Sequence, residues 1–146
     1  MLIKLTAEQI SVYWNDVKNA MLAAVPPIAY ESKDKMHLVL EGLLTDNMHC
    51  WVSVRKEDEG NIIDAILVTS INFDPYSNTR SLLIYSMTAT RLTRAASWIS
   101  GIETLRKFAK KKKCNRVIAY SDNPQIVKIC AKLGGDTSYS FISFDS

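Results

Sequence analysis

The chain has 146 residues, of which 47% are apolar and 23% charged, and carries a net charge of +3. That length suits one domain, residues 1–146, with a sizeable core, and the composition excludes a disordered chain. The small charge excess gives no electrostatic ground for a nucleic-acid partner. No apolar run approaches the roughly 18–20 residues that span a bilayer, and Met1-Leu2-Ile3-Lys4-Leu5 lacks the pattern of a signal peptide, so no membrane partner is expected. Cys50, Cys114 and Cys130 form no CxxC pair, and an odd count favours a reducing, cytoplasmic setting over a disulfide framework.

Leu2 to Leu5 reads as a short first strand. Thr6 with Gln9 forms a capping box, and Ile10, Tyr13, Trp14, Val17 and Met21 then recur at helical spacing until Pro26-Pro27 stops the helix. Ser32 caps a second helix whose apolar stripe is Met36, Val39, Leu40, Leu43 and Leu44. From His49 the period becomes that of strands. Cys50 to Val54 is one, Ile62 to Phe73 a second and Ser81 to Thr90 a third, separated by the turns Glu57 to Asn61 and Asp74 to Asn78. A long helix follows over about Arg94 to Lys112, with Trp98, Ile102, Leu105, Phe108 and Ala109 on one face.

The last third is the most informative. Arg116 to Ser121 is a β-branched run, and Asp122-Asn123-Pro124 starts a helix with an Asx cap and proline at its first position. Ile126, Ile129, Cys130 and Leu133 give that helix an apolar face, Gly134-Gly135 ends it, and Thr137 to Phe144 reads as a terminal strand. The order is β-α-α-β-β-β-α-β-α-β, an α/β arrangement with a mixed sheet.

This order, with Asn123 at a strand-to-helix switch and Lys132-Leu133-Gly134 after it, resembles the GNAT superfamily of acyl-CoA-dependent N-acyltransferases over nearly the whole chain. The resemblance implies a GNAT-like mixed sheet of about six strands flanked by about four helices. It also implies acetyl-CoA as cosubstrate and no metal. The family binds pyrophosphate on a Gln/Arg-x-x-Gly-x-Gly/Ala loop at the N-terminus of the long helix, where glycines admit the backbone and free N–H groups hold the anion. The matching segment here is Arg91-Leu92-Thr93-Arg94-Ala95-Ala96, which keeps the first and last positions but places Arg94 where the family has glycine. By the same resemblance, strand-four backbone around Ser86, Met87 and Thr88 receives the thioester carbonyl. Asn123 matches the residue that helps hold the pantetheine arm, though as a residue type it is equally a plain N-cap. Cys130 stands where many members carry the Tyr that protonates the leaving thiolate.

The residues themselves do not single out a catalytic base. Asp64 is the one acid inside a strand, Asp74 lies at a strand end, and neither sits in a recognisable motif. His37 and His49 lack metal-ligand spacing. The run Lys110 to Lys113 reads as a solvated helix end, favourable to the dipole, with no interleaved aromatics for stacking on bases. Two functions of different class follow. One is acetyl transfer from acetyl-CoA to an amine, weakened or lost through the altered loop. The alternative is a non-catalytic GNAT-fold protein that docks on a protein partner, similar in size to the internal virion components of short-tailed phages.

Overall fold

The structure, a computed structural model, describes residues 1–24, 35–89 and 95–146, with the side chains of residues 95 and 96 outside that description. In chain order its elements are β1 (Leu2–Lys4), α1 (Ala7–Leu22), α2 (Met36–Leu44), β2 (Met48–Glu57), β3 (Gly60–Asp74), β4 (Thr79–Ala89), α3 (Ala95–Lys111), β5 (Arg116–Ala119) and α4 (Pro124–Lys132). The proline stop after α1 and the Ser32 cap lie outside the described residues.

Local chemistry accounts for the element ends. Thr6 and Gln9 make the reciprocal capping box at α1, which satisfies two of the orphan N–H groups of a helix start. Asp58 and Glu59 form a two-residue turn between the paired Glu57 and Gly60, and Gly60 takes the positive φ of 119° that the turn requires. Asn123 accepts from the Gln125 amide at 3.0 Å, with Pro124 at the first helical position. Gly134, at φ 90°, ends α4.

The sheet runs β1-β2-β3-β4-β5. Its first three junctions are antiparallel, and β4 pairs with β5 in parallel. A parallel pair needs a crossover, and α3 supplies it. Alternation along the strands splits the core between two faces. Cys50, Val52 and Val68 pack with Ile10, Val17 and Met21 of α1 and Met36, Val39 and Leu43 of α2. Trp51, Ala65, Leu67 and Leu82 pack with Leu105 and Ala109 of α3.

Three expectations are corrected. Residues 137–144 form no strand, so the sheet has five strands among the described residues. Asp136 draws the chain into a turn through the Ser138 amide and hydroxyl, at 3.0 and 2.6 Å, and Tyr139, Ile142 and Phe144 stay exposed. The apolar stripe of α4 is also shallower than its periodicity predicts, since none of its residues is buried and Leu133 is exposed. Leu44, too, is exposed rather than in the α2 stripe.

His49 is part of the core under α3. It is 1% exposed, its Nδ1 shares a 3.0 Å hydrogen bond with the Thr69 hydroxyl, and that hydroxyl also accepts from the Trp51 indole N–H at 3.0 Å. Phe108 packs edge-on to both rings. Burial holds the imidazole below its ordinary pKa, opposed by Asp46 and reinforced by Lys4 and Lys112.

Two outcomes follow from this packing. Leu105→Ala should cost about 2–5 kcal/mol, as core truncations do, whereas Leu133→Ala and Lys111→Ala should each change stability by less than about 1 kcal/mol at exposed sites; urea titration separates the classes. Because His49 stays neutral in the fold but takes a proton near pH ~6.5 when unfolded, the unfolded chain binds more protons as pH falls. Stability should therefore decline below about pH 6.5, and His49→Gln should flatten that dependence in urea titrations across the range.

Candidate functional site

The feature that opens a site is a change of parity in β4. Along its first half Leu82 and Ile84 face α3; farther on, Met87 does, while Tyr85 packs on the α1/α2 side. An even-to-odd switch requires one extra residue, and the register shows it: Thr69 pairs with Ile84 and Val68 with Ser86, leaving Tyr85 as a bulge. The parallel ladder with β5 stops at the same point, at Ile84 with Ala119. Beyond it β4 continues through Ala89 paired with β3, and among the described residues no strand lies on its other edge. The pairing of β4 with β5 thus ends before Tyr85 and Tyr120.

A second bulge lies at the same end of the sheet. Ser53 pairs with Ala65 and Val54 with Ile63, so Asp64 is the extra residue of β3 against β2. Its neighbour Ala65 pairs with Ala89, which sets Asp64 level with the unpaired end of β4, and Asp64 is only 5% exposed. Bulges re-aim side chains and recur beside functional sites. Asp74 is placed oppositely, at the tip of the β3–β4 hairpin. There it accepts from the Ser77 hydroxyl at 2.7 Å and the Tyr76 amide at 3.1 Å. Those bonds, the hydroxyl's first, hold its carboxyl below the ordinary value, which makes it a turn cap and a poor base.

The residues expected from the sequence are distributed as follows. Ser86 is buried opposite Val68, and Met87 is half-buried opposite Leu67 in the core under α3. Thr88 donates its hydroxyl to the Ala20 carbonyl at 2.8 Å, tying the open end of β4 to α1. Arg91 and Arg94 lie outside the described residues, while Ala95 and Ala96 form the first backbone positions of α3. Asn123 has its side-chain oxygen engaged as the α4 cap. Cys130 is half-buried in α4, and burial raises its thiol pKa. Cys50 is fully buried and its thiol is pushed up to about 12, which leaves it inert. The structure therefore has Ser86, Met87 and Thr88 together on the end of β4 that pairs with β3 but not with β5, and places Asp64 near the same end.

Under the first turns of α3 lies a cavity of about 70 Å³, lined among others by Ile84, Met87, Ala89, Trp98, Gly101 and Leu105. A Cβ added at Gly101 meets nothing within 4 Å. Gly101→Ala should therefore stabilise the chain by about 0.5–1 kcal/mol through helix propensity, read as a higher urea midpoint at unchanged slope.

No family model matches the sequence, and no curated protein matches it in sequence. Solved structures do match its fold. A probable acetyltransferase aligns at TM-score 0.68 and 13% identity, over 100% of this chain and 96% of that one. A predicted acetyltransferase with acetyl-CoA from Clostridium acetobutylicum aligns at 0.67 and 16%, over 99% and 95%. Aminoglycoside N-acetyltransferase AAC(6')-Iy in complex with CoA aligns at 0.66 and 12%, over 100% and 98%. At such identities the likeness establishes the fold, which is the GNAT fold expected from the residues.

Proposed function

We propose that this GNAT-fold chain holds acetyl-CoA in the opening between β4 and β5 and transfers its acetyl group, slowly, to an amine. The observation that carries the reading is the coincidence of the Tyr85 bulge with the end of the β5 ladder, which frees one backbone edge of β4 beside the N-terminus of α3. The presence of acetyl-CoA and CoA in two structures of the same fold supports it.

Acetyl-CoA supplies an activated acyl group, and the chain's own residues do the rest. Within Ser86 to Thr88, where alternate N–H groups point away from β3, those on the open edge donate to the thioester carbonyl and to the charge that grows on its oxygen. The N-terminus of α3, with Arg91 and Arg94 ahead of it, attracts the pyrophosphate. Asp64 takes a proton from the acceptor ammonium, freeing the nitrogen to attack the carbonyl carbon. As the carbon–sulfur bond breaks, the Cys130 thiol gives its proton to the departing sulfur and the second proton shed by the acceptor nitrogen restores that thiol, so that the net proton released is the one held by Asp64. Transfer is slow because Arg94 stands in sequence where the family has glycine, because burial makes Cys130 a reluctant acid, and because the Asn123 oxygen is engaged as a cap.

A docking protein without catalysis is the second reading, favoured by the exposed apolar residues after α4. Two measurements separate the readings. Calorimetric titration should show weak, saturable binding of acetyl-CoA that Arg94→Gly strengthens; an absence of binding in both proteins would remove the acyl-CoA reading. Thiol release from acetyl-CoA, with an aminoglycoside and a free N-terminal peptide as trial acceptors, should fall by at least about 100-fold in Asp64→Asn, the scale of lost general-base catalysis, while binding is retained. Equal release by wild type and Asp64→Asn would clear Asp64 of the role.

A further inference from the structure

The cavity under the first turns of α3 is framed by residues too small to fill it. Ser53 of β2, Ala65 of β3, Ala89 of β4 and Gly101 of α3 all line it, in a sheet whose other strand positions carry large apolar side chains. A void of this kind costs stability in a core, because its lining loses contacts. Its volume is about 70 Å³. A cavity of about 150 Å³ takes a benzene, with its six carbons, so in proportion this one has room for about three carbon or oxygen atoms.

Two side chains point to the occupant. Met87 joins the cavity to the site on β4, since its backbone lies on the strand end past the Tyr85 bulge while its side chain packs on the α3 face and lines the cavity. An acyl chain whose carbonyl rests on that strand end turns under α3 to meet it. Trp98 also lines the cavity, and its indole Nε1 is buried with no hydrogen-bond partner among the described residues. Buried donors are nearly always paired, and an unpaired one carries the full cost of its lost water. An acceptor oxygen on the occupant answers it. Among the described residues that line the cavity there is no Lys, Arg or His, so that oxygen is neutral; a carboxylate there would lose its water and gain no cation.

We propose that the preferred acyl donor is a coenzyme A thioester of a short hydroxyacyl group, of the size of 3-hydroxybutyryl, which rests on the reading of β4 as the thioester site. The carbon next to the carbonyl stays at the mouth beside Met87. The third and fourth carbons and the hydroxyl oxygen fill the cavity, and that oxygen accepts from Trp98 Nε1. Acetyl leaves the cavity unfilled and Trp98 unpaired, which makes it the poorer donor.

Calorimetric titration of the whole chain with acetyl-, butyryl-, 3-hydroxybutyryl- and succinyl-CoA tests this. Each buried carbon contributes about fourfold in affinity, so butyryl-CoA should bind about fifteenfold more tightly than acetyl-CoA. The hydroxyl should add about fivefold more, and succinyl-CoA should gain nothing over acetyl-CoA. Trp98→Phe keeps an aromatic ring and loses the N–H, so it should erase the fivefold step and keep the fifteenfold one. Ala65→Leu fills the cavity and should erase both steps while acetyl-CoA still binds. Should Ala65→Leu not fold by circular dichroism, the wild-type series and Trp98→Phe decide. Binding of acetyl-CoA with no gain for the longer neutral groups overturns the hydroxyacyl preference and leaves the acyl-CoA site standing; binding of none of the four overturns both. A gain that survives Ala65→Leu, a hydroxyl step that survives Trp98→Phe, or an equal gain for succinyl-CoA overturns the preference as well.

Discussion

The structure depends on what β4 is bonded to along its length. Its first half is held by β3 on one side and by β5 on the other, with parallel pairs from Ser81–Arg116 to Ile84–Ala119. Its second half keeps only β3. The single extra residue, Tyr85, separates the two regimes, because adding one residue to a period-two strand turns the next side chains over and bends the backbone. The strand end proposed to hold the thioester lies on the far side of that residue. Ser86, Met87 and Thr88 follow it, Asp64 lies beside the Ala65–Ala89 pair at the end of the same strand, and the crossover helix α3 follows in the chain.

The two-faced core makes such an opening affordable in stability terms. α1 and α2 cover one face and α3 the other, and the most deeply buried side chains, such as Ile10, Cys50, Val68, Leu82 and Leu105, sit in β2, β3, the half of β4 that pairs with β5 and the helices against them. Thr88 adds a fixed point by bonding to α1. The end of β4 is therefore anchored by β3 and α1 rather than by β5, an arrangement suited to the donor role proposed for it. Preorganised donors of this kind are what stabilise charge developing on a carbonyl oxygen.

Much of this was readable from residues alone. The Thr6–Gln9 box, the strand-to-helix switch at Asn123 and the stripe ending in Leu105 and Ala109 all rest on local rules, and the structure has each of them. The resemblance carried the order of elements, and the likeness to solved acetyltransferases has the same fold. What failed was non-local. The stretch 137–144 has the composition of a strand, but a strand exists only when an edge accepts it, and no composition rule reports that. α4 shows the same limit, since its periodic apolar face does not say how deeply a partner will cover it. Asp64 was visible as an acid in a strand, yet its significance came from register, through a bulge defined by pairing to β2. The parity switch at Tyr85 could have been noticed as Leu82 and Ile84 giving way to Met87, although Leu83 and Tyr85 between them blur the pattern.

The central claim is that backbone donors of β4 past Tyr85 hold the thioester. Backbone amide resonances followed during a titration with acetyl-CoA examine it residue by residue. The account predicts that the amides of Ser86 to Thr88 and of the first turn of α3 move most, with downfield shifts on the open edge of β4, while those of Ser81 to Ile84 stay nearly fixed. Saturable shifts confined to the β3–β4 hairpin or to α1 and α2, with Ser86 to Thr88 unmoved, would contradict it.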